Sequence, residues 1–303
     1  MQNRRDFLKT AIAAPSLAAA SVLLTGGSAP ALEKIQRVGG CRYKISLNAY
    51  SFNEPLRSGR MTLDDVLEFC AKLGFDAVDP TGYYFTGYPA VPDDGYVYRI
   101  KQKAFLNGLE MSGTGVRNDF TYPEPEKRIP EKQLVKNWIE CAARLGAPVV
   151  RVFTGVNPPK DHSWDQAADW IAADIEECAE HGKKFGVMIG IQNHNDFLKT
   201  SDDILKLLGR IHSDWVGMIL DIGSFRTDDP YKDIARIAPH AVSWQIKEMV
   251  DVRNRQVPVD LKTVVQIVKD AEYRGYLPIE TLGQGDPKTK ITKFYNRVLE
   301  AFA

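Results

Sequence analysis

Charged side chains interrupt several short apolar runs of the sequence. Asp221 falls near the end of the run VGMILDI, and Glu280 lies within LPIETL. An ionised carboxylate in an apolar strand needs a partner, a metal or a ligand, because its burial otherwise costs free energy. Lys247 ends the run AVSWQIK and is a base that could pair with either acid. These three groups are therefore candidates for proton transfer.

Other polar residues follow the same pattern at the ends of further apolar runs. Residues i and i+2 share one face of a strand, so Gln192 points with His194, and Gln245 points with Lys247. The predicted catalytic residues are Glu280, Lys247, His194 and Glu248. The predicted substrate-binding residues are Asn48, Tyr50, Asp79, Arg117, Asn118 and Arg151. For the two arginines, an ion pair with a neighbouring carboxylate is the alternative role.

The aromatic residues that follow the second apolar run have two interpretations. They are Tyr83, Tyr84, Phe85 and Tyr88. Aromatic rings in such a loop either pack against each other or offer a face on which a sugar stacks.

The elements that must position these residues alternate along the chain as strand and helix. The predicted strands are 44–50, 75–80, 110–116, 148–154, 186–192, 216–222, 241–247 and 277–282. Their starts lie 25 to 38 residues apart, which is the length of a strand with its crossover helix. The predicted helix signals are N-caps at Thr62 and Ser163, a start at Ser201, a first-turn proline at Pro130 and a final glycine at Gly146. The pattern predicts an α/β fold with a single (β/α)8 barrel over residues 32–303, whose chemistry lies at the carboxyl ends of the strands.

Motifs for several other kinds of chemistry are absent from the sequence. The nearest dinucleotide-binding pattern is Gly113-Thr114-Gly115, and Asn118 stands where the third glycine is needed, so no nucleotide cofactor is expected. The 39 basic and 39 acidic residues give no net charge, which argues against a nucleic-acid partner. The 4 cysteines are too scattered for a disulfide framework or a zinc site.

Residues 1–31 resemble a twin-arginine export signal that is cleaved. Arg4 and Arg5 precede Phe7-Leu8-Lys9, an alanine-rich run and the cleavage-like sequence Ala29-Pro30-Ala31. A short anchoring helix is the alternative, but the apolar run is shorter than the roughly 20 residues that cross a bilayer. We therefore expect a periplasmic protein that has no membrane association after cleavage.

Four strand ends carry a resemblance to a known family. IQNHN, LDIGSF, SWQIKEM and LPIETLG are similar to strand ends of the xylose isomerase-like TIM barrel superfamily, the sugar phosphate isomerases and epimerases. In that family a divalent metal is held by Glu, Asp, His and Glu from strands five to eight, and the two glutamates move a proton beside a carbonyl. The matching positions here are Gln192, Asp221, Gln245 and Glu280.

Two of those four positions depart from the family pattern. An amide oxygen is an acceptable ligand for Mg²⁺ or Mn²⁺ and a poor one for Zn²⁺, so the resemblance implies a weakly held Mg²⁺ or Mn²⁺. Gln192 cannot act as a base, which leaves Glu280 as the acid-base residue at a family position. The family often has His where this chain has Ser224, and His-x-Lys-Asp where it has Gln245-Ile246-Lys247-Glu248.

The resemblance implies a sugar isomerase or epimerase whose partner is a small-molecule carbohydrate. Export from the cytoplasm favours an unphosphorylated sugar or keto-sugar as the substrate. A lyase or hydratase that acts on an oxidised sugar or a glycoside is the first alternative, because such an enzyme needs only one strong base. A non-catalytic carbohydrate-binding barrel is the second alternative, suggested by the two glutamines. The sequence leaves the oligomeric state open.

Overall fold

Strand and helix alternate in the computed structural model as the sequence pattern predicts. The structure describes residues 33–155, 159–194 and 197–303, and the predicted signal at 1–31 lies outside them. The strands are β1 (Arg42–Asn48), β2 (Ala77–Asp79), β3 (Glu110–Met111), β4 (Thr114–Gly115), β5 (Val149–Val152), β6 (Met188–Gln192), β7 (Val216–Asp221), β8 (Ala241–Lys247), β9 (Met249–Val252), β10 (Arg255–Pro258) and β11 (Arg274–Glu280). The α-helices are α1 (Asn53–Arg57), α2 (Leu63–Leu73), α3 (Asp94–Leu106), α4 (Pro125–Leu145), α5 (Trp164–Phe185), α6 (Ser201–Leu208), α7 (Pro230–Ile237), α8 (Leu261–Asp270) and α9 (Pro287–Phe302).

The main sheet is a nearly closed parallel barrel. Its strands follow the order β3-β2-β1-β11-β8-β7-β6-β5-β4. Strands β3 and β4 are two pieces of one stretch, so the sheet begins and ends within residues 110–115. The predicted third strand is interrupted at Gly113, where an added Cβ would lie 3.1 Å from a side-chain carbon of Val149. The predicted α/β class and single (β/α)8 barrel are confirmed.

The helix signals of the sequence hold with one correction. Thr62 and Ser163 each form a capping box at the start of α2 and α5. Helix α6 begins at Ser201 as predicted, and its cap is Thr200, whose side chain accepts from the backbone N–H of Asp203. Pro130 lies inside α4, and the first-turn proline of that helix is Pro125, so that prediction was wrong.

The segment 33–41 contacts the amino ends of two neighbouring strands, β8 and β11. A guanidinium nitrogen of Arg37 donates to the carbonyl of Ala241, the first residue of β8. Arg274, the first residue of β11, donates to the carbonyls of Gly39 and Gly40. The opposite end of the barrel, where the carboxyl ends of the strands meet, carries the polar residues that the sequence singles out.

The antiparallel hairpin of β9 and β10 follows β8 directly, at the carboxyl end of that strand. Within the described residues, no helix combines the length and the apolar character needed to cross a membrane.

Candidate active site at the carboxyl end of the barrel

A cavity of about 680 Å³ opens among the carboxyl ends of the barrel strands. This volume is typical of sites that hold a small molecule. Of the thirteen predicted site residues, twelve line it: Asn48, Tyr50, Arg117, Asn118, Arg151, Gln192, His194, Asp221, Gln245, Lys247, Glu248 and Glu280. The barrel thus brings together side chains that are spread over more than two hundred residues of sequence.

The register of β8 places Lys247 between two buried acids. Strand β8 pairs with β7 on one side, with Asp221 opposite Gln245, and with β11 on the other, with Glu280 opposite Lys247. Lys247 Nζ lies 3.3 Å from Asp221 Oδ2 and also contacts Glu280 Oε1. The side chains of Lys247, Asp221 and Glu280 are only 10%, 2% and 6% exposed. We refer to these three residues as the lysine–acid cluster.

Burial and charge act in opposite directions within this cluster. Burial raises the pKa of Glu280, even though the neighbouring Lys247 ammonium favours the ionised form. Burial alone would lower the pKa of Lys247, but the charges of Asp221 and Glu280 outweigh it and leave that pKa raised. The lysine therefore stays cationic at neutral pH, and Glu280 is a stronger base than a carboxylate in water.

A network of hydrogen bonds fixes Asp221 from its own side of the barrel. Asn193 binds the backbone of Asp221 twice, donating to its carbonyl at 2.9 Å and accepting from its N–H at 2.8 Å. The N–H of Gly223 donates to Asp221 Oδ1 at 3.0 Å, and Gln192 Nε2 donates to Asp221 Oδ2 at 2.7 Å. The other end of Gln192 accepts from Arg151 Nη1 at 3.3 Å, so this glutamine links the acid to the arginine.

Arg151 is a buried cation held between two aromatic rings. Its guanidinium carbon lies 4.1 Å from the ring centroid of Phe153 and 5.4 Å from that of Tyr83, whose hydroxyl also accepts a hydrogen bond from Arg151. A Cβ at Gly115 would lie 2.5 Å from Arg151 Nε, so only glycine fits beside the guanidinium. Burial alone would lower the pKa of Arg151, but Tyr83, Asp79 and Glu280 keep it raised. The arginine therefore stays positively charged inside the barrel.

Asp79 lies outside the cavity, and three other predicted residues line it with side chains that are exposed or already bonded. Asp79 is buried and does not line the cavity; burial raises its pKa to about 6. Asn118 lines the cavity but uses its amide group to bind both backbone groups of Phe153. Glu248 Oε2 lies 3.2 Å from Lys290 Nζ, and Glu248 lines the cavity with a side chain that is partly exposed. The side chain of Arg117 is exposed, and its backbone N–H donates to the hydroxyl of Tyr88.

His194 lines the cavity, and its ring contacts that of Phe153 edge-on, with the centroids 5.2 Å apart. Of the aromatic loop, Tyr83 lines the cavity. Phe85 and Tyr88 pack against Trp138, so for these two the packing interpretation holds.

Several cavity residues escape sequence reasoning. Phe153 lies two residues after Arg151, and the rule that residues i and i+2 share one strand face could have predicted its place in the cavity. Arg226 lies in the loop after β7, where its position five residues beyond Asp221 was a weaker signal. Gln256 reaches the cavity from β10, and nothing in its local sequence indicates this.

The four positions that correspond to the family's metal ligands fit a divalent ion poorly. Lys247 already brings a positive charge to Asp221 and Glu280, and Gln192 turns its NH₂ group, not its oxygen, toward Asp221. Gln245 Oε1 alone favours a ligand here, since it is buried without a hydrogen-bond partner. In the described part of the chain, no group of three or more His, Cys, Asp or Glu side chains is arranged to hold a metal. The weakly held Mg²⁺ or Mn²⁺ stays a prediction.

Comparison with known proteins agrees with the barrel fold. A family model described as xylose isomerase-like TIM barrel matches residues 67–296. A sequence search of curated proteins finds no significant match.

Solved structures with the same fold are similar over most of the chain. D-psicose 3-epimerase from Clostridium cellulolyticum H10, solved with D-tagatose, is 14% identical with a TM-score of 0.70, over 86% of this chain and 99% of that one. The 3-keto-D-glucoside 4-epimerase of E. coli is 12% identical with a TM-score of 0.68, over 86% and 100%. A sugar phosphate isomerase/epimerase from Parabacteroides distasonis is 17% identical with a TM-score of 0.65, over 90% and 98%. At these identities the likeness shows the fold.

Proposed function

The chain belongs to the xylose isomerase-like TIM barrel family, and on this premise we propose that it is a sugar isomerase or epimerase-like enzyme. Its substrate is an unphosphorylated sugar or keto-sugar. The observation that carries the proposal is the lysine–acid cluster in the wall of the cavity, where Glu280 is a buried base beside a buried cation. Buried titratable groups of this kind are rarely retained for stability alone.

In the proposed reaction Glu280 removes the proton from the carbon beside the substrate carbonyl. The electron pair of that C–H bond forms the carbon–carbon double bond of an enediolate, and the carbonyl electrons move onto oxygen. The ammonium of Lys247 and the guanidinium of Arg151 offset the charge that develops. Glu280 then returns the proton to the neighbouring carbon, while His194 transfers a proton between the two substrate oxygens.

The neutral Gln192 favours some variants of this chemistry over others. A single carboxylate removes and returns a proton on one face of the substrate, which suits an exchange between aldose and ketose. Inversion at one carbon needs a proton donor on the opposite face, and an amide cannot serve as that donor. A lyase that eliminates a group from an oxidised sugar is the second candidate, because elimination also needs one strong base.

Two features favour a sugar without phosphate. D-psicose 3-epimerase and 3-keto-D-glucoside 4-epimerase, which share the fold, are named for unphosphorylated carbohydrates. Export through the proposed signal would also separate the protein from cytoplasmic sugar phosphates. Asn48, Tyr50 and Arg117 line the cavity and offer hydrogen bonds to hydroxyl groups.

The decisive experiment is incubation of the purified protein with a panel of aldoses, keto-sugars and oxidised glycosides in deuterated water. Deuterium on the carbon beside the carbonyl, together with a new isomer, supports the isomerase. An unsaturated product supports the lyase. Binding of sugars without any exchange supports the carbohydrate-binding barrel and contradicts both enzymes.

We also propose that residues 1–31 direct the protein to the periplasm through the twin-arginine route. The paired Arg4 and Arg5 are the support for this. Changing both to lysine should leave the protein in the cytoplasm with residues 1–31 attached, as measured by fractionation and intact mass. Unchanged periplasmic accumulation of that variant would contradict the proposal.

A further inference from the structure

We infer that the Lys247 ammonium takes the place of the divalent cation at this site, so that the protein works without a metal. The inference rests on the proposed function for its catalytic meaning, but it can be tested by binding alone. It starts from the poor fit of the donor set described above.

The first support is that the carboxylate oxygens are already engaged. Asp221 Oδ2 lies 3.3 Å from Lys247 Nζ and accepts from Gln192 Nε2 at 2.7 Å, while Asp221 Oδ1 accepts from the N–H of Gly223 at 3.0 Å. Glu280 Oε1 accepts from the same lysine. Three of the four oxygens on these two acids therefore have donors. A divalent ion would have to displace the ammonium and turn the amide before it could bind.

The second support is that the lysine stem packs against backbone on the side of the loop after β7. A Cβ at Gly223 would lie 2.9 Å from Lys247 Cγ and 3.1 Å from the carbonyl oxygen of Met249. The loop after β7 therefore packs its backbone directly against the lysine stem. This packing limits movement of the stem toward that loop, and the ammonium contacts Asp221 and Glu280.

The third support is the balance of charge. Asp221 and Glu280 carry two negative charges, Lys247 supplies one positive charge, and the family positions at 192 and 245 hold neutral amides. Gln192 connects the cluster to a second buried cation, Arg151. A divalent ion added at Asp221 and Glu280 would meet the Lys247 ammonium directly and a second buried cation, Arg151, beyond Gln192. The arrangement already supplies the positive charge that an enediolate oxygen needs.

Titration of the purified protein with MnCl₂ after chelation tests the inference, with binding followed by calorimetry and by the EPR signal of free Mn²⁺. The wild type should show no saturable binding below about 1 mM, since the ammonium repels the ion from its oxygens. Lys247→Met removes the charge, keeps a similar stem, and should bind Mn²⁺ at least about tenfold more tightly.

Lys132→Met is the matched control. Lys132 also lies between an aspartate and a glutamate, Asp174 and Glu177, but on the outer helices α4 and α5. Its loss should leave Mn²⁺ binding unchanged. Micromolar, stoichiometric binding of Mn²⁺ by the wild type would overturn the inference, and so would a folded Lys247→Met that gains no affinity. Should Lys247→Met fail to fold, the wild-type titration still decides.

Neither measurement requires a substrate, so a protein that turns over no sugar contradicts the proposed function and leaves this inference standing. Conversely, deuterium exchange into a sugar that disappears on chelation and returns with Mn²⁺ would support the function and overturn the inference.

Discussion

The barrel carries two lysine–glutamate pairs on its strands, one near each end. At the amino end, Lys44 of β1 lies 2.6 Å from Glu110 of β3, and the side chains are 42% and 47% exposed. At the carboxyl end, Lys247 of β8 contacts Glu280 of β11, and the side chains are 10% and 6% exposed. The residue types are the same, and the pairs differ chiefly in their access to water.

With that difference in burial, the pKa values of the two glutamates are shifted in opposite directions. Hydrogen bonds from Lys44 and Tyr276 lower the pKa of Glu110, whereas burial raises the pKa of Glu280. The exposed pair holds its charges at little cost and contributes little to stability. The buried pair pays a desolvation penalty, and it keeps a carboxylate that accepts a proton more readily. The comparison teaches that burial at the cavity, rather than the pairing itself, makes Glu280 the more basic of the two carboxylates.

Exchanging each glutamate for glutamine gives the largest expected contrast. Glu280→Gln keeps the shape and loses the base, so kcat should fall by about 10²–10⁴ on a substrate found by the deuterium screen. Glu110→Gln should leave kcat within about twofold, because Glu110 and its partners Lys44 and Tyr276 do not line the cavity. Steady-state kinetics of both variants measures the difference. Wild-type turnover by Glu280→Gln would place the chemistry on another residue.

Exchanging each lysine for methionine tests the cost of burial. Lys247→Met leaves two carboxylates in the barrel without their cation, and the free energy of unfolding should fall by about 3–5 kcal/mol at pH 7. Lys44→Met should lower it by less than about 1 kcal/mol. Urea unfolding of the two variants measures both values. If the double variant Lys247→Met/Glu280→Gln is no more stable than Lys247→Met, the unpaired charge of Glu280 does not cause the loss of stability.

The sequence predicted the barrel and most of the cavity because both depend on local patterns. Strand periodicity located all eight barrel positions, and the i, i+2 rule placed Gln245 and Lys247 on one face. The sequence could not tell which acid Lys247 meets, since that depends on the register of β8 against both neighbours.

Two features depend on contacts that no local pattern reveals. Asp79 ends a strand as predicted, but its side chain does not line the cavity. The hairpin that carries Gln256 turns at Arg253 and Asn254, which both have positive φ, without the glycine that normally marks such a turn.

Asp79 is a third carboxylate, and its effect on stability should depend on pH. Its pKa is raised from 3.8 to about 6, first of all by burial. A folded-state pKa above the unfolded one means that the native state binds more protons between these values. The stability from neutral Asp79 is therefore fully present below about pH 4 and is lost as the pH rises through about 6.

Asp79→Asn mimics the neutral acid at every pH. The variant should be more stable than the wild type by about 3 kcal/mol above pH 7, and equally stable near pH 3.5. Thermal or urea unfolding across this range measures the crossover. Glu110→Gln should show the opposite trend, with a loss above pH 5, because the pKa of Glu110 is lowered. A pH-independent difference for Asp79→Asn would mean that the fold does not shift the pKa of this acid.

Substitutions of Gln192 give the smallest expected effect. They test whether catalysis at the cavity needs only one carboxylate at the family positions 192 and 280. Gln192→Ala removes hydrogen bonds to Asp221 and Arg151, so KM should rise by about three- to tenfold with little change in kcat.

Gln192→Glu restores a second carboxylate, but it places a negative charge next to Asp221, where the amide now donates at 2.7 Å. That variant should therefore turn over no faster than the wild type and bind substrate no more tightly. Gln133→Ala, which removes an exposed amide bonded to Asn137 on α4, is the control and should change neither constant. A rise in kcat with Gln192→Glu would show instead that the buried end still works with two bases, and that Lys247 has not altered the chemistry that the family resemblance implies.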